Sequence, residues 1–143
     1  MKFTNSLIKG KLLKRYKRFF ADIKVNSKII TAHCPNTGSM QGLLDQGNEV
    51  LVTEHNDPKR KLKFTLEIIK AKKRYVGVNT HRANKIVNHG LENKLISEFK
   101  TIKNIKPEFK FSDDTRFDFL CDDNLIEVKN VTLFREKDIA EFP

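Results

Sequence analysis

The chain of 143 residues has no tryptophan, two tyrosines, four prolines, six glycines and two cysteines. Cys34 and Cys121 lie far apart and have no partners at metal-ligand spacing, which excludes a disulfide framework and a multi-cysteine zinc cluster. They read as reduced, packed thiols. No apolar run approaches the ~20 residues of a membrane helix. The basic N-terminus has its apolar residues interrupted by Lys9, Lys11 and Lys14, so no signal-peptide core is present and a cytoplasmic protein without membrane attachment is expected. Internal repeats and low-complexity linkers are also missing.

Acidic residues are scarce in one half only. Residues 1–80 hold 17 Lys and Arg against 6 Asp and Glu, a balance of +11, whereas residues 81–143 hold 11 against 12. The first half therefore carries a field suited to a polyanion, with nucleic acid the foremost partner and an anionic membrane surface a rival.

The first half also reads as β. In "RFFADIKV", Phe19, Ala21, Ile23 and Val25 alternate with Phe20, Asp22 and Lys24. "KIITAHC" follows a turn at Asn26-Ser27, then come "EVLVTEH", "KLKFTLEII" and "YVGVN". Leu62, Phe64, Leu66 and Ile68 are expected on one face of the fourth strand, with Thr65 and Glu67 on the other. Five closely spaced strands with no helix between them predict a small barrel or sandwich, the five-stranded oligonucleotide-binding barrel being one candidate. "RYKR", with Arg15, Lys17 and Arg18, and "PKRK", with Lys59, Arg60 and Lys61, flank these strands. Such residues can contact phosphates while aromatic side chains stack on bases; solvated strand ends explain them equally well. His33 and Cys34 adjoin without enough further ligands for zinc, so packing is expected. "PNTG", residues 35–38, suits either a phosphate cradle or a plain turn.

Near Asn79 the pattern changes. "THRANKIVNHG" predicts a helix with Asn79 or Thr80 as N-cap, Ala83, Ile86 and Val87 on its apolar side and Gly90 as its stop. Leu91, Leu95 and Phe99 extend helical spacing through "LENKLISEFK". Three strands follow: "EFKF" after Pro107, "RFDFLC" and "LIEVKNV".

The last two strands carry the chemistry. With Asp122-Asp123 at the centre of their hairpin, position 118 faces position 127, so two carboxylates share a face about 5 Å apart. Lys129, two residues past Glu127, shares that face. A slip of one residue on each side puts Asp118 opposite Lys129 instead, and a three-residue loop breaks the pairing. Close carboxylates repel unless a cation lies between them. Asp118 and Glu127 would suit Mg²⁺ or Mn²⁺, which takes one or two carboxylates together with water and phosphate. Such an ion polarises a phosphodiester and activates water, and Lys129 could orient that water. The plain alternative is an exposed hairpin face bearing an Asp–Lys or Glu–Lys pair.

Taken in order, "RYKRFFADI", "TAHCPNTGSMQGLL", "DPKRKLKFTLEI", "VGVNTHRANKIV" and "RFDFLCDDNLIEVKNVTL" make the chain resemble the sugar fermentation stimulation protein A family. The resemblance implies an α+β protein of two domains. Residues 1–80 would form the N-terminal five-stranded OB-like barrel, basic and nucleic-acid binding. Residues 81–143 would form an incomplete restriction-endonuclease-like domain of the PD-(D/E)XK type. Asp118, Glu127 and Lys129 then fall on the acidic residue and the E-x-K of that catalytic motif. The implied protein binds DNA, single-stranded DNA included, and is nuclease-like. The rival reading is a non-catalytic DNA-binding regulator of sugar metabolism. Two departures from the family bear on activity. His89 stands where the family commonly has a helix Glu; Glu92 or Glu98 could substitute, though a solvated helix face is the plainer reading of both. The chain is also expected to be truncated, since it stops at "AEFP" where the family continues.

Overall fold

The computed structural model describes residues 1–134 and 140–141. These group into two compact units: His81–Lys129 with Met1, and Lys2–Thr80 with the segment that begins at Asn130.

The Lys2–Thr80 unit contains β1 (Leu7–Tyr16), β2 (Phe20–Val25), β3 (Lys28–His33), β4 (Glu49–Glu54), β5 (Phe64–Ala71) and β6 (Arg74–Gly77). Antiparallel pairs β1–β2, β2–β3, β1–β4 and β4–β5 are joined by a short parallel contact, Ala32 with Phe64 and His33 with Thr65. The ring β1-β2-β3-β5-β4 therefore closes into a five-stranded, OB-like barrel, and β6 extends β5 outside it. Closure removes the unpaired edges that an open sheet would present. Leu12, Ala21, Ile23, Val50, Val52, Leu66 and Ile69 fill the interior.

One strand of the ring differs from the sequence expectation. "YVGVN" supplies the outside strand β6, and the missing member is β1. Its Lys9 and Lys11 are exposed while Gly10 and Leu12 are buried, a normal period-two pattern. A bulge between Leu12 and Lys14 breaks that period. Gly10 is required by crowding: a Cβ there would meet Ile23 Cγ2 at 2.5 Å and the Lys24 carbonyl at 2.9 Å.

A second bulge breaks the expected two-face pattern of β5. Leu51 pairs with Ile68 but Val52 pairs with Leu66, so Glu67 is the extra residue. Thr65, Leu66 and Glu67 are consecutively buried. Glu67 accepts hydrogen bonds from the Thr53 hydroxyl at 2.7 Å and the Asn79 amide at 2.9 Å, so this buried carboxylate has polar partners.

The "PNTG" loop is a fastening point. Asn36 is buried, and its Oδ1 accepts from the Gly38 amide at 2.8 Å, locking the turn. Its Nδ2 donates to Thr132 Oγ1 at 3.2 Å, while the neighbouring Pro35 carbonyl accepts from Thr80 Oγ1 at 2.9 Å. Cys34 is buried beside Met40, as the packed-thiol reading requires.

In the His81–Lys129 unit, a 3₁₀ turn at Thr80–Arg82 leads into α1 (Ala83–Glu92). Neither expected cap residue caps it, because Asn79 serves Glu67 and Thr80 serves Pro35. Gly90 is not the stop either. It lies inside α1, where a Cβ would be 3.2 Å from Ile96. The helix ends in a Schellman arrangement: Lys94 has φ 55°, its amide donates to the Leu91 carbonyl, and the Leu95 amide donates to the Gly90 carbonyl. Leu95 is consequently 67% exposed rather than part of a continuing apolar stripe.

A three-stranded antiparallel sheet follows in the order β7 (Ile105–Lys110), β8 (Arg116–Cys121), β9 (Asn124–Ile126). β7 is an edge strand and so tolerates Pro107. Leu91, Phe119 and Cys121 form the small core, with Val87, Ile96, Phe99, Ile105, Ile126 and Val128 around them. Leu133–Phe134 (β10) pairs with Ala140–Glu141 (β11).

Candidate functional site

The β8–β9 hairpin has the register derived from a two-residue turn. Cys121 pairs with Asn124, Leu120 with Leu125 and Phe119 with Ile126. Asp122 holds the turn. It adopts φ 48°, and its carboxylate accepts from the main-chain amides of Asn104 (3.0 Å) and Lys103 (3.1 Å) and from the Asn104 side chain. These bonds, that to the Asn104 amide foremost, stabilise the carboxylate and hold its pKa below the ordinary aspartate range. The sequence marks Asp122 only as a turn former; its bonds to Lys103 and Asn104 come from the fold.

The ladder stops at Ile126, yet the chain beyond stays beside β8. Val128 donates its amide hydrogen to Asp118 Oδ2 at 2.6 Å, and Asn84 Nδ2 on α1 donates to Asp118 Oδ1. Asp118 is half-buried, with both oxygens engaged. Glu127 and Lys129 lie two residues apart on the exposed side of this segment, and Lys129 Nζ contacts Glu127 Oε1 at 2.5 Å. The structure thus brings Asp118 to the Glu127–Lys129 segment and pairs Glu127 with Lys129.

Asp118 also lines a hollow of about 380 Å³ with Asn84, Asn88, Glu92, Glu108 and Phe119. Asn84, Asn88 and Glu92 repeat every four residues and share one face of α1. That four-residue spacing is the sequence signal for Asn84 and Asn88 beside Glu92. Glu92 accepts from Asn88 Nδ2 at 2.8 Å. His89 lines the same hollow. Glu98 lies outside it, bonded to the Ser97 hydroxyl.

The donor chemistry of this corner fits a hard divalent cation. A carboxylate offers about four lone-pair directions, so the two bonds to Asp118 leave acceptor capacity, and the Glu127 carboxylate is exposed. Two carboxylates completed by water and phosphate are a normal set for Mg²⁺. Among the described residues, no group of three or more His, Cys, Asp or Glu side chains is placed to hold a metal.

The basic residues occupy two neighbouring places on the barrel unit. Arg15 is partly committed to the fold: Nη2 donates to the Asn36 carbonyl at 2.8 Å and Nε to the Arg18 carbonyl at 3.1 Å. Lys17 and Arg18 are exposed at the β1–β2 turn, both with left-handed backbone, φ 46° and 61°. Lys59 is exposed. Arg60 is anchored through Nη2 on Thr65 Oγ1 at 2.8 Å. Arg60 and Lys61 line a hollow of about 260 Å³ with Phe19, Phe20, His33 and Leu62. No helix among the described residues is long and apolar enough to cross a membrane.

Comparison with known proteins agrees with both units. Residues 13–78 match the SfsA N-terminal OB domain, and residues 81–143 match the sugar fermentation stimulation protein RE domain. The sugar fermentation stimulation protein homolog of Pelagibacter ubique is 64% identical over all of this chain and 63% of its own length. That of Alteromonas mediterranea is 44% identical over 93% of this chain and 61% of its own. The chain thus spans somewhat under two thirds of these relatives. The fold is similar to that of Pyrococcus furiosus SfsA, solved in complex with Ca²⁺, at a TM-score of 0.81 and 22% identity, over 100% of this chain and 62% of that one. With two consecutive family domains matched and 64% identity to one relative along the whole of this chain, the chain belongs to the sugar fermentation stimulation protein family.

Proposed function

We propose that the chain is the DNA-binding, nuclease-like part of a cytoplasmic protein, with the barrel as its grip on DNA and the β8–β9 hairpin as a divalent-metal corner. The observation that carries this reading is the placement of Asp118 beside the Glu127–Lys129 segment, with Val128 hydrogen-bonded to Asp118. In this reading Asp118 and Glu127 hold Mg²⁺ or Mn²⁺. When bound, such an ion supplies Lewis acidity at a phosphodiester oxygen and acidifies a coordinated water. Asn84 and the Val128 amide fix the direction of the Asp118 carboxylate. Lys129 neutralises Glu127 and lends positive charge to a neighbouring phosphate. The Pyrococcus furiosus SfsA structure in complex with Ca²⁺ supports the choice of a hard, oxygen-seeking cation. The charge balance of +11 over residues 1–80 supports the polyanion partner.

A second reading, a non-catalytic DNA-binding regulator of sugar metabolism, is favoured by one observation. No third acidic or imidazole ligand joins the two carboxylates among the described residues. Calorimetry with Mn²⁺ at low salt separates the hairpin assignment from the plain surface pair. Wild type should give a binding isotherm that Glu127→Gln loses, while Lys129→Ala retains it. Equal heats in wild type and Glu127→Gln return the hairpin to an ordinary solvated face. Metal binding without Mn²⁺-dependent cleavage of any DNA form selects the regulator.

A further inference from the structure

The hollow on the barrel unit between the β1–β2 turn and the segment joining β4 to β5 has a composition that phosphate contacts alone do not explain. Its wall is aromatic and aliphatic, with Phe19, Phe20, His33 and Leu62, while Arg60 and Lys61 stand beside them. Phe19 is 45% exposed, so its ring is open to a partner. Its ring lies nearly parallel to that of His33, at 18° and 6.5 Å between centroids, so the two offer flat surfaces of similar orientation. Arg60 is held by Thr65 through one of its donors, which orients the remainder of the guanidinium.

The backbone leading to Phe19 is strained. Lys17 and Arg18 both adopt left-handed φ, a conformation that costs a side-chain-bearing residue free energy and that asparagine or glycine would adopt more readily. The Phe19 amide donates to the Lys17 carbonyl at 2.7 Å, and the Cys34 amide to the Phe19 carbonyl at 2.7 Å. The main chain of Phe19 is thus fixed on both sides while its ring projects into solvent.

We propose that this hollow is a nucleobase subsite: one unpaired base of single-stranded DNA stacks on Phe19, and the adjoining phosphates are met by Arg60 and Lys61. The inference rests on the DNA-binding reading and adds to it a strand preference. A flat apolar surface beside cations complements a nucleotide, whose base has an exposed π-face and whose phosphate is anionic. Inside a duplex that face is covered by stacked neighbours, so the subsite rewards single strands only. The basic turn and loop residues, by contrast, serve both forms.

The absence of tryptophan provides a direct test. Phe19→Trp places a single indole at the subsite, and its fluorescence reports stacking. A short oligothymidylate should quench it, whereas the same length of duplex DNA and heparin, a polyanion without bases, should leave it nearly unchanged. In parallel, fluorescence anisotropy should show Phe19→Ala weakening oligothymidylate binding by about tenfold while changing duplex affinity less than twofold. Circular dichroism confirms that both variants are folded. Wild-type binding of oligothymidylate with no quenching in Phe19→Trp overturns the subsite and leaves the DNA-binding reading standing. So does equal quenching by heparin, or equal loss for both DNA forms in Phe19→Ala. Failure of wild type to bind either form at low salt overturns the DNA-binding reading, and the subsite with it.

Discussion

The Val128 amide and the Asp118 carboxylate are joined by a hydrogen bond of 2.6 Å, and the Asn84 amide occupies the other oxygen of the same carboxylate. Asp118 is therefore a structural acceptor whatever else it binds. Asp118→Ala should leave two partly buried donors without their acceptor and destabilise the His81–Lys129 unit by about 1–3 kcal/mol. Glu127→Gln breaks only an exposed ion pair, and its cost should stay under about 1 kcal/mol. Urea unfolding of the two variants checks the difference. Glu127 is accordingly the cleaner position for metal-binding tests.

Gly10 and Gly77 make a paired prediction. A methyl group at Gly10 would collide with Ile23 and the Lys24 carbonyl, whereas nothing lies within 4 Å of one at Gly77. Gly10→Ala should destabilise the barrel by about 1–3 kcal/mol through overpacking. Gly77→Ala should be neutral or stabilising by up to about 1 kcal/mol, because it restricts the unfolded chain. Thermal melts should move in opposite directions, or in one case not at all.

Stability should fall at both ends of the pH scale for separate reasons. The carboxyl of Asp122 is held below the ordinary range by the Asn104 and Lys103 amides. Its contribution is therefore complete above the ordinary aspartate range and is lost as pH falls through the lowered folded value. The Lys9 ammonium is held above the ordinary range by its hydrogen bond and charge pairing with Glu49, at 2.7 Å. Its contribution is complete below the ordinary lysine range and is lost as pH rises through the raised folded value. In pH-dependent urea unfolding, Asp122→Asn should flatten the acid limb and Lys9→Met the alkaline limb.

Replacing Lys17 and Arg18 together by Asn-Gly relieves left-handed strain and removes two charges. The double variant should gain about 1 kcal/mol in stability, since Asn and Gly occupy this region cheaply. At the same time, the slope of log affinity for DNA against log salt should become shallower by about one to two. A stability gain without a change in slope would assign this turn no role in phosphate binding.

Much of the fold was legible where side chains kept their period. Phe20–Val25 keeps an alternation of buried Ala21 and Ile23 with outward Phe20, Asp22 and Lys24, and Asp122-Asp123 fixed the hairpin register through ordinary turn chemistry. The rest was hidden by bulges and by tertiary hydrogen bonds. One extra residue near Leu13 disguised β1, and another turned Glu67 inward, where Thr53 and Asn79 meet its carboxylate. A charge on a bulge cannot be assigned to a face by counting in twos. Leu91, Leu95 and Phe99 have helical spacing, yet Lys94 turns the chain after Glu92. At the candidate site, Asp118, Glu127 and Lys129 could be read from the hairpin, while the bond from Asn84 to Asp118 depends on a helix 34 residues away in sequence.

The bonds around Pro35 and Asn36 have a consequence for how the chain is made. The Pro35 carbonyl anchors Thr80, and the amide of the next residue anchors Thr132, 96 positions from Asn36. One dipeptide therefore tethers both the departure and the return of residues 81–129, which behave topologically as an excursion inserted into the barrel unit. During N-to-C synthesis all six strands of Lys2–Thr80 emerge first, but Asn36 lacks its hydroxyl partner until Thr132 has followed. The return of the chain thus adds one late fastening to a barrel whose ring of strands does not include Thr132.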